Sequence, residues 1–157
     1  MFISNIRFFN CAIIISVLLT FSIQSFAQQN IQTPEEFFGF KPGTDRMLFT
    51  YEEMITYFQK LDNASPNLKM LEIGKTPMGK PMYIAFISSA DNISNLEKLK
   101  NINKELALNP LLSESEREKY FAEGKVFFLG TLSMHSSEVG PSQAAPLIAY
   151  ELITSKD

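Results

Sequence analysis

The chain is expected to fold as an α/β domain, with a mixed β-sheet flanked by helices. Two observations predict this. Three short apolar runs with strand character, LKMLEIG, MYIAFIS and VFFLGTL, are interspersed with segments whose apolar residues recur at helical spacing. Strands that alternate with helices bury their apolar faces by stacking as layers. No internal repeat is visible, and the single cysteine, Cys11, excludes a disulfide framework.

The first 27 residues stand apart from that fold. Met1 to Arg7 holds one positive charge, Phe8 to Ile23 is apolar, and Gln24-Ser25-Phe26-Ala27 ends in a small-x-small pattern. This order predicts a secretory signal peptide over 1–27, cleaved after Ala27, and a secreted or periplasmic product. The apolar stretch is shorter than the roughly 20 residues of a spanning helix and is interrupted by Asn10, Ser16 and Thr20. No second membrane segment follows, so no membrane attachment is expected once the signal is removed. The formal charge is −3, without the basic stripe that nucleic acid requires.

The elements follow in order. Residues 28–49, polar and broken by Pro34, Gly39, Pro42 and Gly43, predict an extended lead-in, not a packed element. Residues 50–157 then form the domain. Thr50 with Glu53 makes a capping box, and Met54, Ile55, Phe58 and Leu61 follow at helical spacing until Asn63 to Pro66 ends the run. Leu68 to Ile73 and Met82 to Ser88 predict two strands, joined as a hairpin by the turn-rich Thr76 to Pro81. Asn92 to Leu108 repeats Ile93, Leu96, Leu99, Ile102 and Leu106 as a helix. Ser113 with Glu116 caps a charged helix to Ala122. Val126 to Leu132 is continuously apolar and predicts a strand buried on both faces. Ser142 to Ile153 closes with a compact apolar helix.

The chemistry concentrates between those last two elements, in Thr131-Leu132-Ser133-Met134-His135-Ser136-Ser137-Glu138-Val139-Gly140. Side chains at the carboxyl end of a buried strand emerge where α/β sheets bind ligands. A neutral imidazole and a carboxylate three residues apart around a strand-to-helix corner can converge on one cation. Zinc takes such ligands at about 2.0–2.2 Å. Glu is common enough that the H-x-x-E spacing alone has little weight; its setting gives it weight. His135 is also the one histidine in the sequence.

The stretch VFFLGTLSMHSSEVGPSQAAPLIAYEL resembles the first metal motif of the carboxypeptidase A-like zinc metallopeptidases. The order of upstream elements is similar too, so the resemblance covers about Thr50 to Ile153, with specificity confined to the His135–Glu138 segment. It implies a zinc cofactor, His135 and Glu138 as two of three zinc ligands, and a peptide or protein substrate. It also implies the front half of a phosphorylase/hydrolase-like domain in a secreted metallocarboxypeptidase. In the family, the third ligand is a distant second histidine, and the substrate-binding arginines and general-base Glu follow the first motif. No second histidine occurs here, no residue is assignable as base, and Ser137 stands where many members have Arg. The alternative is a non-catalytic, secreted binding domain derived from the same fold. An unpaired edge at VFFLGTL predicts self-association.

Three other candidates are weaker. Gly74-Lys75-Thr76 resembles the end of a phosphate loop, but Lys69 occupies the place of its first glycine. Gly140-Pro141-Ser142-Gln143 lacks the glycine after serine that a nucleophile elbow requires. Glu114 to Glu118 reads as a solvated helix face.

Overall fold

The computed structural model describes residues 31–155. The expected signal peptide over 1–27 and the first residues of the lead-in lie outside this range. Among the described residues the elements are α1 (Pro34–Phe38), α2 (Tyr51–Ala64), β1 (Leu68–Lys75), β2 (Pro81–Ile87), α3 (Ala90–Ser94), α4 (Leu96–Leu108), α5 (Glu114–Glu123) and α6 (Val139–Thr154). The protein therefore mixes helices with sheet, as the alternating pattern predicts.

Helix α2 starts where its capping box places it. The Thr50 hydroxyl accepts from Glu53 N–H, and the Glu53 carboxylate accepts from Thr50 N–H at 2.7 Å. Each bond satisfies a backbone or side-chain group that the first helical turn would leave without a partner. Ser113 and Glu116 form the same reciprocal pair at the start of α5. The apolar stripe of α2 buries Tyr57 and Leu61.

β1 and β2 form an antiparallel hairpin, with Leu68 opposite Ile87 and Met70 opposite Ala85. The turn closes through Thr76 N–H to Lys80 O and Gly79 N–H to Thr76 O, both 2.8 Å. Gly79 adopts φ 77°, a left-handed conformation that a Cβ would oppose. A register irregularity between Glu72 and Gly74 marks a bulge.

The core lies on one face of the hairpin. Tyr57 and Leu61 of α2, Leu68 and Met70 of β1, and Ala149 and Ile153 of α6 form one buried cluster. Full burial of a leucine such as Leu61, 1% exposed, contributes about 1.5–3 kcal/mol. Helices α2 and α6 pack on each other and both reach the hairpin.

Four expectations are corrected. The lead-in is not merely extended: Thr33 and Glu36 form a capping box that starts α1. Phe37 and Phe38 of α1 then pack on Tyr57, and Phe38 stacks on Phe49 at 4.1 Å. Aromatic area outweighed the local Pro and Gly signals.

The expected helix from Asn92 to Leu108 is two helices, parted at Asn95. Its side-chain amide and its backbone N–H both donate to Asp91 O, at 2.8 and 3.1 Å. Asparagine competes in this way with the helical ladder.

Helix α6 begins at Val139, three residues before the expected Ser142. Gly140-Pro141 reads as a turn, yet the first-turn N–H that proline lacks has no intrahelical acceptor anyway.

The largest correction concerns Val126 to Leu132. It is neither a strand nor buried: Val126 is 97% exposed, Phe128 95% and Leu129 70%. The sheet among the described residues is the β1–β2 hairpin alone, not a mixed sheet. Apolar composition favours burial, but a strand also requires a hydrogen-bonding neighbour. The run's ring contact with the hairpin is Phe127 meeting Phe86 edge-on at 6.1 Å.

Candidate metal centre

The segment leading into α6 is a compact turn built by its own polar groups. Glu138 N–H donates to His135 O at 3.1 Å, closing the turn. The Ser133 hydroxyl lies 3.0 Å from both His135 O and Glu138 O, so it bridges the two ends of the segment. Residue 138 is also the position from which α6 departs.

This turn brings the two predicted ligands together. His135 Nδ1 and Glu138 Oε1 are 2.8 Å apart. The other carboxylate oxygen, Oε2, accepts from the backbone N–H groups of His135 at 3.1 Å and Met134 at 3.3 Å. The imidazole contact and these two backbone donors hold the Glu138 carboxyl below the usual carboxylate range, the imidazole contributing most. Glu138 therefore favours its ionised form. An ionised carboxylate only accepts hydrogen bonds, so in this pair Nδ1 bears the proton.

The donor types suit zinc: one imidazole nitrogen and one carboxylate oxygen. Two donors at about 2.0–2.2 Å on a tetrahedral zinc stand about 3.4 Å apart, so joint ligation requires the 2.8 Å contact to open by about half an ångström. Both side chains are exposed, His135 at 68% and Glu138 at 48%, which leaves them free to make that adjustment. Among the described residues, no group of three or more His, Cys, Asp or Glu side chains is placed to hold a metal ion. A zinc ion held by this pair would draw two of its four coordination positions from it.

The other sequence candidates lie apart from this turn. Lys75 ends β1, and Glu114 to Glu118 is an exposed face of α5, as expected of a solvated charge run. A shallow cavity of about 390 Å³ is lined by Leu112, Glu114, Arg117, Glu118 and Phe121, and takes in neither His135 nor Glu138. Ser142 Oγ donates to Val139 O at 2.9 Å, a local helix bond and not a bond to His135.

Two residues, Ser133 within the turn and the buried Gln143 beyond it, were not singled out by sequence reasoning. Ser133 organises the turn, and a serine two residues before the histidine gives little signal by itself. Gln143 is buried within α6, where a lone amide among Ala144, Ala145 and Pro146 was a readable oddity. Among the described residues, no helix is long and apolar enough to cross a membrane. No protein-family model, curated protein or solved structure matches the chain.

Proposed function

We propose that this chain is the N-terminal part of a secreted or periplasmic zinc metallocarboxypeptidase that hydrolyses peptide bonds. The observation that supports the reading is the His135–Glu138 contact, which brings together at the entry to α6 the two side chains that the resemblance names as ligands. Zinc, when bound, would polarise a scissile carbonyl and lower the pKa of a bound water. His135 and Glu138 would hold the metal, with the two backbone N–H groups on Oε2 orienting the carboxylate as outer partners do around metal ligands.

Zinc titration of the purified chain tests this reading. Binding near one equivalent should disappear in His135→Ala and weaken at least about tenfold in Glu138→Ala, since losing even an outer partner of a metal ligand typically costs about 10–100-fold. A wild-type chain that binds zinc no better than His135→Ala sinks the reading. The 157 residues alone should show no chelator-sensitive peptidase turnover above background. A second reading, a non-catalytic secreted binding domain, is favoured by one observation: Val126, Phe128 and Leu129, a few residues ahead of the turn in sequence, present bare apolar surface.

A further inference from the structure

The His135–Glu138 turn is tied mainly to itself. Its hydrogen bonds run among Ser133, Met134, His135 and Glu138. Between Ile102 and Gln143, no residue is buried. Gln143, 8% exposed, is therefore the first buried anchor after a long exposed stretch, and it lies five residues beyond Glu138.

That anchor makes a paired contact. Phe49 N–H donates to Gln143 Oε1 at 3.3 Å, and Gln143 Nε2 donates to Phe49 O at 3.2 Å. One carboxamide thus satisfies both backbone groups of a residue 94 positions away, as a neighbouring strand would. Phe49 is itself held, 7% exposed and stacked on Phe38, directly before the Thr50 cap of α2. The clamp fixes the first turns of α6 to the entrance of α2. Glu138 is the residue from which α6 starts, so its position follows from where those turns are held.

We propose that Gln143 is a positioning residue for the His135–Glu138 turn, acting through its two bonds to the Phe49 backbone. The inference rests on reading that turn as a metal site, but the clamp can be measured without metal. In the full chain, Gln143→Leu removes both bonds. Gln143→Glu keeps the shape, and its carboxylate, which cannot donate, leaves Phe49 O without a partner.

Backbone order parameters at 134–138 should fall from about 0.85 to below about 0.6 in both variants, while those of β1 and β2 stay rigid. Zinc affinity should fall at least tenfold. Acidification that protonates the introduced Glu restores one donor and one acceptor, so the turn should regain order relative to wild type at the same pH. This rescue keeps the test decisive if Gln143→Leu fails to fold. Unchanged order at 134–138 in Gln143→Glu at neutral pH overturns the proposal, as does a wild-type turn already below about 0.6. A wild-type chain that binds no zinc, yet whose turn order follows Gln143, refutes the metal reading and upholds the clamp.

Discussion

At His135 the decisive quantity is the position of one proton. The Glu138 carboxylate is engaged at both oxygens, by the imidazole at 2.8 Å and by two backbone N–H groups. Its folded pKa lies below its ordinary value, so the anion persists to lower pH than an ordinary carboxylate does. For zinc to enter through Nδ1, the proton there must leave: to Nε2 when the ring is neutral, to solvent when it is charged. Nitrogen-15 shifts of the His135 ring read which nitrogen bears the proton; a metal-free ring protonated at Nε2 alone contradicts the His135–Glu138 contact.

At the scale of elements, the starts of α1, α2 and α5 share one device. Glu36, Glu53 and Glu116 each bond back to the Thr or Ser at the cap, and each has its carboxyl held below the usual range by those cap bonds. The sign of the linkage follows. A depressed folded pKa contributes stability above the unfolded value, and that contribution is lost as the pH falls through the folded value. Helix starts α1, α2 and α5 should weaken together as the pH drops below about 4. Thr50→Ala should cost about 0.5–2 kcal/mol at neutral pH and show a smaller further loss on acidification, because half of its reciprocal pair is already gone. Urea midpoints at two pH values measure this. An acid-induced drop equal to that of the wild type would show that the boxes do not titrate as described.

At the scale of the whole molecule, the core and the apolar surface are separate. Tyr57, Leu61, Leu68, Met70, Ala149 and Ile153 close on one face of the hairpin. The seven residues Val126 to Leu132 hold no charge and no proline, and they remain outside that core. Such a segment has the composition of strands that pair with identical strands. The wild-type chain should self-associate with rising concentration, and Phe128→Lys should shift it toward monomer. Sedimentation velocity over a tenfold concentration range decides this; a wild-type chain monomeric throughout removes the assignment of this run as an association edge.

Local chemistry was legible where its partners are neighbours in sequence. The Thr50–Glu53 and Ser113–Glu116 boxes, the Thr76–Lys80 turn and the His135–Glu138 meeting each span three or four residues. Backbone geometry brings such pairs together in any fold that forms the turn or helix. The sequence by itself therefore determined the starts of α2 and α5, the hairpin and the pairing of the two candidate ligands. Tertiary structure alone decided three things. Phe37 and Phe38 draw α1 onto Tyr57, Gln143 finds the Phe49 backbone, and Val126 to Leu132 stays unpaired despite its composition. Each depends on which surfaces meet across long stretches of chain. Apolar pattern states that a residue favours burial, and only the packed elements determine whether a partner is there.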